Sequence, residues 1–181
     1  MSKKKTIFQI DKGQIITLLV LFIGLSAVSD YLFNNYAIAQ PISQTDNPSA
    51  TPIANVNEVK TFVYSWFALL DRQVSEISLL KFLDKDNLKM EFPEMTVNNP
   101  DDFSNWYLGV QETIKSNTHD VREVEVTPKG NGEFDVMVEV NWQAQTREGE
   151  AISQAYLQQW KIITDRNRRL LIQEYLVEEV E

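Results

Sequence analysis

The sequence predicts an α+β domain in which three N-terminal helices pack on a sheet of antiparallel strands. Apolar residues recur at helical spacing through most of residues 56–114, and after residue 117 they alternate with polar residues as in half-buried strands. The 181 residues suffice for one compact domain and an appendage, and they are too few for two ordinary domains. Because such a sheet has one face to bury, we expect the helices to cover that face.

The first predicted helix begins near Val56 and has one apolar face. A short helix from Ser75 to Leu83 and a short strand at residues 88–92 follow it. A third helix begins after Asn99. The apolar positions that define the two longer helices are Val59, Phe62, Val63, Trp66, Phe67, Leu70 and Val74 in the first, and Phe103, Trp106, Tyr107, Val110 and Ile114 in the third.

Four strands are predicted after the third helix. They cover residues 121–126, 134–142, 151–164 and 170–177. The segment PKGNG, residues 128–132, is typical of a turn, so the first two of these strands are expected to form a hairpin. The order of elements therefore ends in a meander of antiparallel strands.

Residues 1–39 are predicted to be a signal peptide or an N-terminal membrane anchor. Four lysines precede an apolar run from Ile15 to Val28, and no Lys or Arg follows until Lys60. The positive-inside rule then places the rest of the chain across the membrane. Small residues at 27–29 and at 37–39 offer two cleavage sites. The domain is therefore expected outside the cytoplasm, either secreted or periplasmic after cleavage, or anchored in the membrane without it.

Residues 40–55 are rich in Pro, Ser, Thr, Asn and Gln, which predicts a flexible tether before a domain at residues 56–181. Positions 1–39 hold 4 basic and 2 acidic residues, which leaves 13 basic and 24 acidic residues and a net charge near −11 for the rest. Nucleic acid and anionic lipid surfaces would repel such a domain. Nucleic acid is therefore not expected as a partner, and the membrane is expected to be contacted through the N-terminal segment only.

Neither a metal nor another cofactor is predicted. The chain has one histidine and no cysteine, and its acidic residues lack the spacing of a zinc or iron site. It also lacks a glycine-rich phosphate loop and a G-x-S-x-G nucleophile elbow. Disulfides and thiolate chemistry are excluded by the same absence of cysteine.

Three segments resemble the nuclear transport factor 2-like superfamily, and within it the SnoaL-like group of cone-shaped domains. They are DDFSNWYLGVQETI at 101–114, THDVREVEV at 118–126 and VNWQAQTREGEAISQAYLQQWKI at 140–162. The resemblance covers about Val56 to Val177. It implies three helices packed on a curved antiparallel sheet, and a homodimer is an expectation from the resemblance alone. Members of this superfamily include isomerases, dehydratases, cyclases, non-catalytic ligand binders and interaction modules, so the fold does not choose among these functions.

The resemblance also implies a mostly apolar pocket between the helices and the sheet. Inward-facing aromatic side chains would line either this pocket or the core. His119 stands where the resemblance places a histidine at the pocket mouth, and histidine is a common acid or base near neutral pH. The candidate ligand-binding residues are His119, Trp66, Trp106, Tyr107, Trp142 and Trp160.

A catalytic His119 would need a partner that orients its imidazole. Asp71 ends the first predicted helix, where some catalytic relatives carry a functional carboxylate, but the same position fits a turn between helices. The strands that would supply an inward acid carry glutamines instead, which cannot hold a proton in reserve. These glutamines are Gln143, Gln145, Gln154, Gln158 and Gln159. We therefore expect no strand carboxylate beside the imidazole, which weakens the enzyme interpretation.

Two functions of different classes stay open. The favoured one is an exported or membrane-tethered, non-catalytic cone domain that binds a small apolar molecule or a protein partner. The alternative is a SnoaL-like isomerase, dehydratase or cyclase that acts on a small apolar substrate with His119 as its base. No catalytic residue is assigned while both interpretations stand.

Overall fold

The computed structural model describes residues 54–180, which form three helices and six strands. In chain order the elements are α1 (Val56–Asp71), α2 (Glu76–Leu79) with a following 3₁₀ turn (Leu80–Phe82), β1 (Lys89–Phe92), β2 (Met95–Val97), α3 (Pro100–Thr113), β3 (Ile114–Gly130), β4 (Glu133–Thr146), β5 (Ala151–Thr164) and β6 (Leu170–Val180). The predicted signal peptide or anchor at residues 1–39 and nearly all of the tether lie outside the described residues. Among the described helices, none combines the length and apolar character that a membrane crossing requires.

Polar side chains start the two long helices. Asn55 caps α1 by accepting hydrogen bonds from the backbone N–H groups of Asn57 and Glu58, and the Glu58 carboxylate accepts the Asn55 N–H at 2.7 Å. Asn99 caps α3, with Pro100 in the first turn. These caps satisfy N–H groups that a helix leaves unpaired, which explains why both helices begin close to the predicted positions.

The strands form one six-stranded sheet in the order β2-β1-β6-β5-β4-β3. All pairs are antiparallel except β1 with β6, which is parallel. The predicted antiparallel meander is confirmed for β3 to β6, and the parallel pair of β1 with β6 adds to it. The segment before β1 already aligns with β6 through a parallel bridge between Leu83 and Ile172, so β1 joins the sheet in the direction that this bridge sets.

The first long strand differs most from its prediction. β3 begins at Ile114, directly after α3, and continues to Gly130, so most of the expected turn segment belongs to the strand. Irregular register between Ile114 and Ser116, between Val121 and Glu123, and near Pro128 interrupts the apolar alternation. The turn itself contains Asn131 and Gly132, and both have positive φ. The three-residue strand β2 was not predicted.

The inward face of the sheet changes character from one end to the other. At one end Phe134, Ile162 and Ile172 are neighbours across β4, β5 and β6, and all three are buried. We call this end the base. At the other end His119, Trp142 and Gln154 are neighbours across β3, β4 and β5, and all three are only half-buried. We call this end, with the adjacent Tyr156 included, the mouth.

Helix α1 connects the two ends. Glu58 and Phe62, near its start, line a cavity of about 270 Å³ at the base together with Ala54, Arg168 and Leu170. Phe67 packs on Trp160 and on His119, with ring centroids 5.6 Å and 5.1 Å apart. The last residue of α1, Asp71, thereby reaches the mouth.

Candidate functional site

His119 and Asp71 form a hydrogen-bonded pair at the mouth. The Oδ1 atom of Asp71 lies 2.6 Å from Nδ1 of His119 and also accepts the His119 backbone N–H at 3.0 Å. The His119 and Asp71 side chains are 13% and 27% exposed. One carboxylate therefore fixes both the strand and the ring, in a position that is mostly shielded from water and still accessible.

This geometry sets the role of each ring nitrogen. In the neutral imidazole, Nδ1 carries the proton that is donated to Asp71, so Nε2 keeps a lone pair that can accept a proton. Nε2 makes no hydrogen bond with another described residue. The Phe67 ring, tilted by 37° against the imidazole, limits its rotation from the helix side. The pair thus presents an oriented proton acceptor toward the mouth.

A network of amide groups holds the end of α1 against β3. Gln73 Nε2 donates to the Ile114 carbonyl at 3.2 Å and to Asn117 Oδ1 at 3.3 Å, and Asn117 Nδ2 reaches the Leu70 carbonyl at 3.5 Å. Gln73 has φ of 47°, which turns the chain sharply after the helix. The position of Asp71 is therefore set by contacts on both sides of it in the chain.

Asp71 occupies an electrostatically unfavourable place. It is the last residue of α1, where the helix dipole is negative, and no basic residue is present in the last turn of the helix. Its hydrogen bonds to the backbone N–H and ring of His119 compensate for this position. A carboxylate in such a place is more readily explained by its partner than by the stability of the helix.

Trp142 and Tyr156 extend the site beyond the imidazole. Trp142 is the direct partner of His119 in the β3–β4 ladder, and its ring centroid is 6.5 Å from that of Tyr156 on β5. Burial raises the pKa of Tyr156, and the negative charges of Glu179 and Glu94 raise this pKa further. The phenol therefore stays protonated throughout the physiological pH range.

The other predicted ligand-binding residues lie deeper. Trp66 and Tyr107 are each 1% exposed, and the Tyr107 hydroxyl donates to the Val74 carbonyl at 2.9 Å. Trp160 is 3% exposed and donates from Nε1 to Gln158 Oε1 at 3.1 Å. These three side chains belong to the core, and their assignment to a ligand stays a prediction.

Trp106 lies at the edge of the core near the β1–β2 turn. Its ring stacks on Phe92 at 4.1 Å, with 12° between the ring planes, and its Nε1 donates to Glu94 Oε1 at 2.9 Å. It is half-buried. Its assignment to a ligand also stays a prediction.

The sequence left two interpretations of Asp71 open, a functional carboxylate and a residue of the turn between helices. The strands supply no carboxylate to the imidazole, but α1 does, through Asp71, so the turn interpretation of that residue is incomplete. Of the glutamines, only Gln154 and Gln158 share the face of Trp142, whereas Gln143, Gln145 and Gln159 are exposed on the opposite face. The sequence signal for Asp71 is an acidic residue in the last turn of a helix that has no basic residue in that turn.

The described residues contain no group of three or more His, Cys, Asp or Glu side chains that could hold a metal ion. The arrangement at the mouth is therefore that of one base, its carboxylate, an indole ring and a phenol. Proton transfer is the chemistry for which these groups are suited.

No protein-family model matches the chain, and no curated protein is similar to it in sequence. Solved structures are similar in fold. A nuclear transport factor 2-like superfamily protein from Salmonella enterica serovar Typhimurium has a TM-score of 0.62 at 12% identity, covering 69% of this chain and 90% of that one. A ketosteroid isomerase-like protein from Erwinia carotovora atroseptica has a TM-score of 0.59 at 12% identity, covering 68% of this chain and 94% of that one.

ActVI-ORFA from Streptomyces coelicolor is similar to the same extent, with a TM-score of 0.57 at 10% identity over 68% of this chain and 95% of that one. At these identities the likeness shows the fold, and the predicted α+β architecture and family resemblance are confirmed at that level. Residues 54–180 have the cone-shaped nuclear transport factor 2-like fold, with helices packed inside a curved sheet.

Proposed function

We propose that this domain is a proton-transferring enzyme of the isomerase, dehydratase or cyclase type, with His119 as its base and Asp71 as the residue that orients it. The observation that carries the proposal is the 2.6 Å contact between Asp71 Oδ1 and His119 Nδ1. It supplies the orienting carboxylate that the strands lack. The name of the similar ketosteroid isomerase-like protein is consistent with this reaction class.

The mechanism follows from the pair. Nε2 of His119 takes a proton from a carbon next to a carbonyl group, the C–H electron pair moves into an enolate, and Asp71 stabilises the imidazolium that forms. The imidazolium then returns the proton to another carbon, which gives isomerisation, or to a departing hydroxyl group, which gives dehydration. No electron acceptor is needed, because no atom is oxidised overall.

The mouth favours a neutral substrate with an apolar body. Phe67 and Trp142 flank the imidazole with aromatic surface. Glu94 and Glu179 lie close enough to Tyr156 to raise its pKa, so they would repel an anion at the mouth. A small planar carbonyl compound meets both conditions.

A non-catalytic function is the second candidate, and the packing of the interior favours it. Trp160 lies between Phe67 and Tyr175, at centroid distances of 5.6 Å and 4.7 Å, so aromatic side chains fill the region below the mouth. Such a domain would hold a small apolar molecule or a protein partner at the mouth without converting it.

The two candidates differ in one measurement, the elimination of 5-nitrobenzisoxazole by the full chain. In this reaction the C–H proton passes to the base, the N–O bond breaks, and a coloured 2-cyano-4-nitrophenolate is released. We expect His119→Gln to lower the rate about 100-fold or more, because the proton acceptor is lost. Asp71→Asn should lower it about 10- to 100-fold through misorientation of the ring.

Asp120→Asn is the matched control, because Asp120 is an exposed carboxylate on the same strand that pairs with Arg122. This variant should stay within about twofold of the wild-type rate. Thermal melts of all three variants would show whether they fold. If His119→Gln folds and retains the wild-type rate, the catalytic proposal fails and the non-catalytic candidate stands.

We also propose that the domain works outside the cytoplasm, released or tethered to the membrane. The proposal rests on the four lysines before the apolar run from Ile15 to Val28 and on the absence of Lys or Arg between Lys12 and Lys60. A reporter that is active only in the cytoplasm, fused after Glu181, should be inactive. Strong reporter activity would contradict this location.

A further inference from the structure

We propose that the mouth binds an organic cation, with the rings of Trp142 and Tyr156 as aromatic walls and the Glu179 carboxylate as the opposite charge. These three side chains are called the cation site below. The inference goes beyond the proposed function because it names the charge of the ligand, and it rests on that function only in calling this ligand a substrate. The neutral, apolar body inferred above then describes the part of the ligand that lies beside His119.

The sheet register places the Glu179 side chain on the inward face, at the end of β6. Glu179 pairs with Tyr156 in the β5–β6 ladder, and Tyr156 pairs with Val140 of β4, which is 2% exposed. Residues directly opposite each other on neighbouring strands share a face, and so do residues two apart on one strand, such as Val140 and Trp142. The carboxylate and both rings therefore lie on the same side of the sheet.

The two rings of the cation site present aromatic surface to a ligand. Their centroids are 6.5 Å apart and their planes are inclined by 44°. Trp142 and Tyr156 are half-buried, whereas Trp160 on the same sheet face is 3% exposed. An ammonium group within about 6 Å of a ring centroid is attracted to the face of the ring, and this attraction is strongest for an indole. The accessible pair is therefore suited to a cation, whereas the buried indole is not.

The negative charge at this end of the sheet lacks a positive partner among residues 54–180. Glu179 forms no ion pair with a Lys, Arg or His of that range. Burial raises the pKa of Tyr156, and Glu179 and Glu94 lie close enough to raise it further. Glu94 is held in place by Trp106, whose Nε1 donates to its Oε1 at 2.9 Å. A bound cation would balance the charge of these two carboxylates.

The class of ligand follows from the combination of aromatic faces with a carboxylate. The described residues offer no group of three or more acidic, cysteine or histidine side chains to a metal ion. An alkylated ammonium group gains instead from the ring faces and from the charge of Glu179, and the apolar remainder of the ligand can extend along Trp142 toward His119, its neighbour in the ladder. An anion would be repelled. The inferred ligand is therefore an alkylated ammonium compound with an apolar body.

Two phenols of the same shape test the charge requirement by isothermal titration calorimetry of the full chain. The 3-hydroxyphenyltrimethylammonium ion carries a quaternary nitrogen at the position where 3-tert-butylphenol carries a carbon. We expect the wild type to bind the cation about tenfold more tightly than the neutral phenol. Glu179→Gln should lower this preference about fivefold and leave the affinity for the neutral phenol within about twofold, because it removes the charge and keeps the size of the side chain.

Glu178→Gln is the matched control. Glu178 is also exposed, but it pairs with Leu157 on the opposite face of the sheet. The variant removes the same charge from the chain and should leave the cation preference within about twofold, because solvent screens an exposed charge on the far side. Trp142→Leu keeps an apolar side chain and removes the indole face, so it should lower the cation preference about threefold. Thermal melts would show that the three variants fold.

The outcomes separate the cation site from the proposed function. Equal affinity of the wild type for the two phenols, or no saturable binding of either, would overturn the inference, while the elimination assay would still judge His119. A preference that Glu178→Gln lowers as much as Glu179→Gln would reflect the net charge of the chain and would also overturn the site. A preference that depends on Glu179 and Trp142, in a chain whose elimination rate is unchanged by His119→Gln, would support the cation site as that of a non-catalytic binder.

Discussion

The base and the mouth lie on the same sheet face and differ in burial and in the polarity of their side chains. At the base, Phe134, Ile162 and Ile172 are at most 3% exposed and carry no polar side-chain atom. At the mouth, His119 and Tyr156 carry polar atoms, Nε2 and a hydroxyl, that make no hydrogen bond with other described residues. The base is apolar packing that excludes water, whereas the mouth carries polar atoms that are accessible to a ligand, which indicates that the fold depends mainly on the base and that the mouth is suited to binding or chemistry.

Helix α1 shows this division within one element. Val59 and Val63 are fully buried and stabilise the fold. About one turn beyond the second of them, Phe67 contacts the imidazole, and the helix ends on Asp71, where a carboxylate opposes the helix dipole. The helix therefore carries apolar burial at one end and an electrostatic cost at the other.

The largest expected effect is at the base. Ile162→Ala removes a fully buried side chain from the centre of the base and should lower the free energy of unfolding by about 2–5 kcal/mol, through lost burial and the cavity left behind. The neighbouring Ile163→Ala is the control, because Ile163 is half-buried on the opposite face of β5. Its cost should be below about 1.5 kcal/mol. Equal costs in urea unfolding would show that burial does not divide the two faces as described.

The next effect concerns a polar group that serves the fold. Asp84 is 7% exposed, and its backbone N–H donates to the carbonyl of Ile172 at 2.8 Å. Burial opposes ionisation of its carboxyl group, but hydrogen bonds from Gln173, Asn87 and the Asp86 backbone prevail and lower its pKa. Both carboxylate oxygens of Asp84 accept hydrogen bonds from protein groups, whereas Nε2 of His119 makes no hydrogen bond with another described residue. Asp84→Asn should therefore lower the free energy of unfolding by about 1–3 kcal/mol at neutral pH.

The pH dependence of this loss has a definite sign. Because the pKa of Asp84 is lower in the folded state, its ionisation stabilises the fold above the unfolded pKa of about 3.9, and this contribution is lost as the pH falls through the folded pKa. The difference in unfolding free energy between the wild type and Asp84→Asn should therefore be largest near pH 7 and shrink below about pH 4. A difference that grows on acidification would contradict the assigned hydrogen bonds.

The same contrast explains what the sequence could predict. The bounds of β5 agree with the prediction, since polar loops flank the strand on both sides. The inward valines of β4 were predicted because apolar and polar residues alternate along this strand without interruption. In β3, bulges interrupt the alternation, and about two thirds of the strand was not predicted. The architecture was therefore predictable from period and spacing.

The site was predictable only in part. His119 was found because the chain has no other histidine, but its partner is 48 residues away in the chain and on a different element. No local sequence pattern predicts that the end of α1 contacts β3. The sequence offered Asp71 either as a functional carboxylate or as a turn residue, and only the folded structure shows that it contacts His119.

The smallest expected effect tests whether aromatic residues at the mouth contribute to stability. Trp142→Phe shortens a half-buried ring that pairs with Tyr156 and makes no hydrogen bond with a described residue, so it should change the free energy of unfolding by less than about 1 kcal/mol. The same substitution at Trp160 removes the donor to the buried Gln158 and should cost about 2–4 kcal/mol. Both residues lie on one sheet face, on neighbouring strands, and differ mainly in their distance from the mouth. If urea unfolding gave Trp142→Phe the larger cost, the mouth would be part of the folding core, and its aromatic surface would need no ligand to explain it.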